Sequence, residues 1–171
     1  MSLKEKMAAK VCNFYVNNWH LLTILFPYLN KNLDEKTKIV TILEDNLEDY
    51  AQTLIEKIIL NNQDKDKIMD INWRKTNIEN KNFENYLTTN TKGNNELILI
   101  VNGQTDYIEN ANETIYDLIN KKEMTNKTVK IINCFNVSNN SVNMSNILNN
   151  HETVLNTLGE IKVEEFTNSN K

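Results

Sequence analysis

The sequence predicts an α/β fold, a doubly wound and mainly parallel sheet with helices on both faces. Short runs of β-branched and apolar residues alternate with stretches of helical spacing, which is the pattern that a parallel sheet produces. Of the 171 residues, 40% are hydrophobic, and a chain of this length can bury one core. The five predicted strands are Val11–Tyr15, Lys38–Leu43, Lys67–Ile71, Glu96–Val101 and Val129–Phe135.

The first strand leads into a predicted helix. Asn17 or Asn18 can cap this helix, because a short amide side chain accepts a hydrogen bond from the free N–H groups of the first turn. Pro27 lies inside the same helix, where the missing N–H and the ring should produce a kink.

The second strand is followed by an acidic segment, residues 44–48, and later by a polar segment, residues 61–66. Asp45 and Glu48 have the spacing of a capping box, which places Asp45 at the N-cap of a second helix. Glu44 and Asp45 are also the oxygen ligands that magnesium prefers, so a metal site is the alternative. The polar segment Asn61–Asp66 is expected to be a loop, and the third strand is expected to continue to Trp73.

In the region after the third strand we expect one short helix near Phe83–Leu87, which a polar link connects to the next strand. The segment Leu97–Val101 is the most apolar of the chain, so we expect it to be a central strand. Ala111, Ile115 and Leu118 then recur at helical spacing and predict a helix between the last two strands of the predicted five.

The final part of the chain is predicted to contain a helix, a turn and an edge strand. Asn139 or Asn140 can cap the helix that carries Ile147. Gly159 provides a turn before the edge strand, Ile161–Phe166. One domain spans residues 1–171 in this interpretation, with a core of about residues 10–166 and a disordered tail, residues 167–171.

The turn after the first strand lacks the glycines that bind phosphate in nucleotide-binding folds of this kind. It reads Phe14-Tyr15-Val16-Asn17-Asn18-Trp19-His20, and the whole chain has only 3 glycines. The sequence therefore predicts the frame of a nucleotide-binding fold without a phosphate-binding loop. This favours sensing or binding over catalysis, and we expect no catalytic group, cofactor or metal site.

Composition excludes several classes of partner. The net charge is −4 at pH 7 and the lysines are scattered among carboxylates, so the basic stripe of a nucleic-acid-binding protein is missing. The N-terminal segment has no apolar core of a secretory signal, and no apolar stretch is long enough to span a bilayer. We therefore expect a cytoplasmic protein that binds neither nucleic acid nor membrane.

Four further side chains have reactive groups with simple structural explanations. Cys12 and Cys134 lie in predicted strands, where buried, reduced thiols are usual, and a redox pair is the alternative. His20 lies at a helix start and could be a general base, a ligand or a surface residue. His151 should end a helix, where a cationic imidazole interacts favourably with the helix dipole.

Ligands of open α/β sheets bind beyond the carboxyl ends of the strands. The residues at these ends are rich in aromatic rings and amides, which provide apolar contact area and orienting hydrogen bonds. The alternative is that the rings are core residues and the amides are caps and turns. The predicted ligand-binding residues are Phe14, Tyr15, His20, Asn72, Trp73, Asn102, Gln104, Phe135 and Asn136.

The opening of the chain, Val11-Cys12-Asn13-Phe14-Tyr15 followed by Leu25-Phe26-Pro27-Tyr28-Leu29, resembles the MEDS domain. This is a sensory domain of methanogens and methylotrophs named after a dichloromethane-responsive regulator. Asn133-Cys134-Phe135 and the segment from Ile147 to His151 resemble later parts of the family, so the resemblance spans about residues 10–160. Lys10 stands where the family has His, and Asn32 stands where it often has Gly; both departures bear on ligand specificity.

The resemblance implies a RecA-like or KaiC-like fold without a phosphate loop, and a role in signal input. Family members are often fused to output modules; here we expect the output protein, a histidine kinase or transcription regulator, to act in trans. The leading hypothesis is a non-enzymatic cytoplasmic sensory domain, also compatible with a homodimer. It would bind a small molecule, and the aromatic side chains favour an apolar one. The alternatives are a ligand-free adaptor and a degenerate nucleotide-binding protein.

Overall fold

The computed structural model describes residues 8–121, 126–138 and 142–169, and within them the predicted α/β fold is confirmed. Six strands form one sheet in the order β2-β3-β4-β1-β5-β6. The strands are β1 Ala8–Tyr15, β2 Thr37–Leu43, β3 Glu96–Gly103, β4 Thr128–Asn136, β5 Thr153–Asn156 and β6 Gly159–Lys162. The helices are α1 Asn18–Asn32, α2 Glu48–Ile55, α3 Asn62–Met69, α4 Asn82–Asn90, α5 Thr105–Ile119, α6 Met144–Asn149 and α7 Val163–Ser169.

Strands β1 to β5 are parallel, and β6 pairs with β5 in the antiparallel direction. The first strand lies inside the sheet between β4 and β5, and its last residues, Phe14 and Tyr15, pair with Phe135 and Asn136. The connection that follows β1 therefore crosses over β4 and β3 to reach β2. Because α1 and α5 cover opposite faces, the carboxyl ends of β1 and β4 form the switch point where ligands bind in such sheets.

The sheet separates two buried clusters. The side that we call the α1 side packs against α1, α2 and α3, and the side that we call the α5 side packs against α4, α5, α6 and α7. Successive side chains of a strand point to opposite faces. In β4, Ile132 and Cys134 accordingly belong to the α1 side, whereas Ile131 and Phe135 belong to the α5 side.

Both cysteines are buried free thiols, as the sequence predicts. Burial raises the pKa of Cys12 to about 12 and also raises the pKa of Cys134, so both side chains are neutral thiols at neutral pH. Their strands are neighbours, but Cys12 lies on the α5 side and Cys134 on the α1 side. The sheet backbone therefore lies between the two sulfur atoms, which is incompatible with the redox-pair alternative.

The third predicted strand, Lys67–Ile71, is wrong, and so is the loop predicted over Asn61–Asp66. Helix α3 occupies most of this region, and the Asn61 side chain caps it by accepting a hydrogen bond from the Asp64 N–H at 2.8 Å. Ile68 is the buried residue of this helix. Lys67 and Asp70 are exposed and Met69 is only half-buried, so the apolar run is too short to form a strand inside a sheet.

The predicted capping box is also wrong. Helix α2 begins at Glu48 with Leu47 at the N-cap, and no side chain caps it there. The Leu47 N–H instead donates to the carbonyl of Trp73 at 2.8 Å, and the Glu48 carboxylate forms an ion pair with Arg74. Burial of Leu47 has therefore set the start of α2, and tertiary contacts take the place of the cap.

The other helix predictions have mixed outcomes. Asn17 caps α1 by accepting a hydrogen bond from the His20 N–H at 2.8 Å, and Pro27 lies inside α1 as expected. Helix α4 lies where the short helix is predicted. For α6, the two predicted caps, Asn139 and Asn140, lie outside the described residues, and the observed cap is Asn143.

The final segment differs from its prediction after the first few residues. Gly159 does provide the turn, with a positive φ of 118°, and β6 is an edge strand. The strand predicted over Ile161–Phe166 ends at Lys162, however, because α7 begins at Val163. This helix also includes residues 167–169 of the expected disordered tail, and residues 170–171 lie outside the described residues.

Candidate ligand-binding site

Two of the predicted site residues, Tyr15 and Trp73, are core residues of the α1 side. The Trp73 ring packs edge-on against Phe26 at a centroid distance of 5.6 Å, and its indole N–H donates to the carbonyl of Ile68 at 2.9 Å. The Tyr15 hydroxyl accepts a hydrogen bond from the Asn102 amide at 3.0 Å, and burial raises its pKa. Both rings therefore stabilise the fold and line none of the three cavities described below.

Asn102 belongs to a polar cluster at the carboxyl ends of β2 and β3. Its side-chain oxygen accepts a hydrogen bond from the Glu44 N–H at 3.1 Å. The Glu44 Oε1 in turn accepts a hydrogen bond from the Gln104 N–H at 2.7 Å, at the start of α5. Gly103 makes this approach possible: its φ is +146°, and a Cβ at this position would lie 2.5 Å from Glu44 Oε1.

His20, Asn72 and Asn136 hold three separate turns. The Nδ1 of His20 accepts a hydrogen bond from the Val16 N–H at 3.1 Å, directly after β1. The exposed Asn72 accepts from the Arg74 N–H at 3.0 Å. Asn136 accepts from the Ser138 N–H at 2.9 Å. Among the described residues, no hydrogen bond joins these three side chains to one another.

Phe14 and Phe135 pair on the α5 side, with ring centroids 6.2 Å apart. Phe135 also meets the edge of the His151 imidazole at 5.9 Å. Of the nine predicted residues, Phe135 and Gln104 line a cavity of about 780 Å³ between α5 and α6. Phe14 supports this cavity indirectly, because it packs against Phe135.

The cavity lies on the α5 side, beside the switch point of the sheet. Helix α5 forms one wall, α6 and the residues that follow it form the other, and β1 and β4 form the floor. Its volume of about 780 Å³ is within the range of small-molecule sites. It is lined by Lys10, Gln104, Thr105, Asp106, Ile108, Glu109, Asn112, Glu113, Tyr116, Asn133, Phe135, Asn143, Asn146, Ile147, Asn150 and His151.

A buried polar network connects the floor of the cavity to both of its walls. Asn112 of α5 and Asn133 of β4 exchange two amide hydrogen bonds, of 2.8 and 3.1 Å. The second N–H of Asn133 meets the Nε2 of His151 at 3.1 Å, and the Nδ1 of His151 lies 2.6 Å from the carbonyl of Ile147. Since a carbonyl can only accept, the imidazole proton is on Nδ1, and Nε2 accepts from Asn133.

His151 is a neutral side chain in this environment. Burial lowers its pKa to about 4, and the nearby Lys10 acts in the same direction. The cationic imidazole expected at a helix end is therefore not present at neutral pH. Instead, His151 follows the last turn of α6 and turns inward against Phe135.

The rim of the cavity is acidic. Asp106, Glu109 and Glu113 of α5 and Lys10 of β1 are its formally charged residues at neutral pH, which gives a local charge of −3 + 1 = −2. No ion pair joins these four groups to one another or to any other residue that the structure describes. The Lys10 ammonium lies over the ring of Tyr116 instead, 5.6 Å from its centroid.

Two smaller cavities lie elsewhere. One, of about 550 Å³, lies between the segment 75–79 and α5 and includes Glu44 and Tyr107. The other is an apolar groove of about 350 Å³, between α1 and the residues after α2. Ile59 in this groove is 100% exposed, which is unusual for a large aliphatic side chain.

Fold and site together define an α/β domain with a polar, acidic cavity between two helices on one face of a parallel sheet. No protein-family model, curated protein or solved structure matches this chain. Among residues 8–121, 126–138 and 142–169, no helix is long and apolar enough to cross a bilayer. Across the same residues, no group of three or more His, Cys, Asp or Glu side chains is arranged to hold a metal ion.

Proposed function

We propose that this chain is a regulatory domain of the sensory type that binds a small polar molecule in the cavity between α5 and α6. The buried network of Asn112, Asn133 and His151 carries the proposal. Asn112 and Asn133 are 7% and 2% exposed, and burying amides is costly unless every polar atom finds a partner. Such a network keeps the cavity floor in one shape, which is the preorganisation that a binding site needs.

The position of the cavity suggests how binding produces a signal. A ligand between α5 and α6 contacts two helices that the sheet holds side by side, so it stabilises one separation of these helices over others. Binding shifts an equilibrium only when the ligand interacts unequally with the two conformations. The helix surfaces that move are then read by a separate protein, such as a kinase or a transcription regulator. Kinship with the MEDS domain is part of this proposal, and Lys10, which departs from that family's pattern, lines the cavity.

Native mass spectrometry of freshly purified protein tests the proposal. Asn146→Trp places a large ring on the exposed wall of α6 and should fill the cavity. Asn149→Trp, on the same helix but outside the cavity lining, is the matched control. We expect wild type and Asn149→Trp to carry a small molecule that is released on unfolding, and Asn146→Trp to carry none. An equal extra mass in all three proteins, or none in wild type, contradicts the proposed site.

The apolar groove favours one second candidate, an adaptor that binds a partner protein. Its lining combines Leu54, Ile58, Ile59 and Leu60 with the Pro27 turn of α1. Exposed apolar patches of this kind mark protein contacts. If the domain acts as an adaptor, Ile59→Asp should abolish co-purification with the partner, whereas Asn146→Trp should leave it intact. If Ile59→Asp still co-purifies with the partner and Asn146→Trp does not, the ligand-binding function is favoured.

A further inference from the structure

We infer that the face formed by α1 and α2 binds a second copy of this chain, about a twofold axis that crosses the middle of α1. The apolar groove of about 350 Å³ lies on this face. Ile59 in the groove is 100% exposed, although burial of a large aliphatic side chain is favourable. The inference goes beyond the proposed function, because this face lies on the α1 side and the ligand cavity lies on the α5 side.

An exposed ridge of α1 runs along this face. Trp19, Thr23, Pro27 and Lys31 are all exposed and recur at every fourth residue, so they form one of the ridges with which helices pack against each other. The last three of them line the apolar groove. Trp19 extends the same face beyond the groove, because its ring meets Tyr50 of α2 at a centroid distance of 4.9 Å. With a rise of 1.5 Å per residue, the ridge is about 18 Å long.

The ridge is complementary to itself when two copies of α1 run in opposite directions. A twofold axis midway between Thr23 and Pro27 places Thr23 of one copy beside Pro27 of the other. These side chains are short, so the two helix axes can approach to about 8–10 Å at the centre. The same axis places Trp19 of each copy beside Lys31 of the other, at the two ends of the ridge.

The two ends of the ridge also have complementary charge. Neither Lys31 nor Asp49 forms an ion pair with a residue that the structure describes. Asp49 is exposed in the first turn of α2, next to Tyr50 and therefore at the Trp19 end. Lys31 of the second copy is thus brought to an indole ring, which attracts an ammonium group, and to a carboxylate. The contact forms twice, once on each side of the axis, as in every isologous interface.

The twofold arrangement also covers Ile59. Tyr50 lies at the Trp19 end of the face, and Ile59 follows nine residues later and lines the groove together with Pro27 and Lys31. Ile59 of one copy therefore faces the Trp19 end of the other, where Trp19 is 44% exposed. A partner of another kind would have to supply a matching apolar ridge with a cation at one end, which a second copy already carries.

Sedimentation velocity of the full chain over a concentration series tests the inference. We expect wild type to form a dimer with a Kd of about 10 μM or tighter. Ile59→Asp should weaken this dimer roughly tenfold or more, because it places a charge of each copy in an apolar contact. Leu158→Asp is the matched control and should change the Kd less than about twofold. Leu158 is 90% exposed in the turn between β5 and β6 and does not line the groove.

A second pair of variants tests the direction in which the two helices run. Lys31→Glu replaces the ammonium group with a carboxylate that would lie near Asp49 of the second copy, so it should weaken the dimer about tenfold. Lys92→Glu makes the same charge change at an exposed position after α4, on the other side of the sheet. It should change the Kd less than about twofold. Unchanged or tighter association of Lys31→Glu would reject the antiparallel pairing.

Three other results overturn the inference. Wild type that stays monomeric up to about 100 μM would leave the groove to a different partner protein. A dimer that survives Ile59→Asp would have its interface on another surface, and so would a dimer that Leu158→Asp weakens equally. Because all four substitutions are at exposed positions, the circular dichroism spectra of the variants should match that of wild type, which separates lost association from lost folding.

Discussion

The two sides of the sheet use the same strands for different purposes. On the α1 side, Tyr15 and Trp73 are packed rings, and β4 contributes Ile132 and Cys134 to an apolar cluster. On the α5 side, the residue between these two, Asn133, enters a buried polar network beneath a cavity. Both sides contain a large buried apolar cluster, and the α5 side adds a buried amide network beneath a cavity. Substitutions on the two sides should therefore have different consequences.

The largest expected effect is on the α1 side. Trp73→Ala removes a ring that is 2% exposed and packed against Phe26, and it should lower the free energy of unfolding by about 3–5 kcal/mol. Urea denaturation followed by circular dichroism measures this change. Trp19→Ala is the control, since Trp19 is 44% exposed, and it should cost less than about 1.5 kcal/mol. Comparable losses in both variants would contradict the assignment of Trp73 to the rigid core.

A pH titration should reveal the buried, neutral imidazole of His151 on the α5 side. The pKa of His151 falls from 6.5 to about 4 on folding, so the unfolded chain binds more protons between these values. The free energy of unfolding should therefore fall as the pH is lowered from 6.5 to 4, by up to about 3 kcal/mol from this group. The residues that face the imidazole are Asn133, Phe135, Ile147 and Lys10.

Other groups also titrate in this range, so the measurement is a difference between variants. His151→Gln should flatten the pH dependence between 6.5 and 4, whereas His20→Gln should retain the slope. If His151→Gln and wild type lose stability in parallel, the imidazole is not buried in its neutral form.

The smallest of these effects tests the amide network. Asn133→Ala removes the two hydrogen bonds that Asn133 exchanges with the Asn112 amide and should cost about 2 kcal/mol. Substituting both asparagines with alanine should cost less than the sum of the two single changes, because each single variant leaves the remaining amide without its hydrogen-bonding partner. Urea denaturation of the four proteins completes the double-mutant cycle. Additive losses would show that the two amides do not act as a pair.

Strong local patterns made much of the fold predictable. The run Leu97–Val101 is apolar over its whole length, which suits a strand covered on both faces, and it lies within β3. The failed predictions come from short or ambiguous signals. Lys67–Ile71 has the residues of a weak strand, yet the Asn61 cap and burial of Ile68 favour a helix there. The spacing of Asp45 and Glu48 matched a cap, but burial of Leu47 shifted the helix start.

The candidate site was less predictable, because strand ends locate a region but not a face. Phe14 and Tyr15 are neighbours in sequence, yet they lie on opposite sides of the sheet. Gln104 and Phe135 could be chosen from the carboxyl ends of their strands. His151 and Asn112 could not be chosen this way, because they meet Asn133 only when α5 and α6 pack on the sheet. A histidine after a helix and a strand segment Asn133-Cys134-Phe135 were the only local signals.

The contact between Glu44 and Gly103 links two positions in the evolution of this chain. The carboxylate of Glu44 occupies the space that any side chain at position 103 would need, and the φ of +146° there disfavours other residues. Position 103 therefore cannot gain a side chain while Glu44 stays in place. Descendants that acquire a side chain at position 103 should also carry a shorter residue at position 44 and a reshaped turn, so these two sites should vary together.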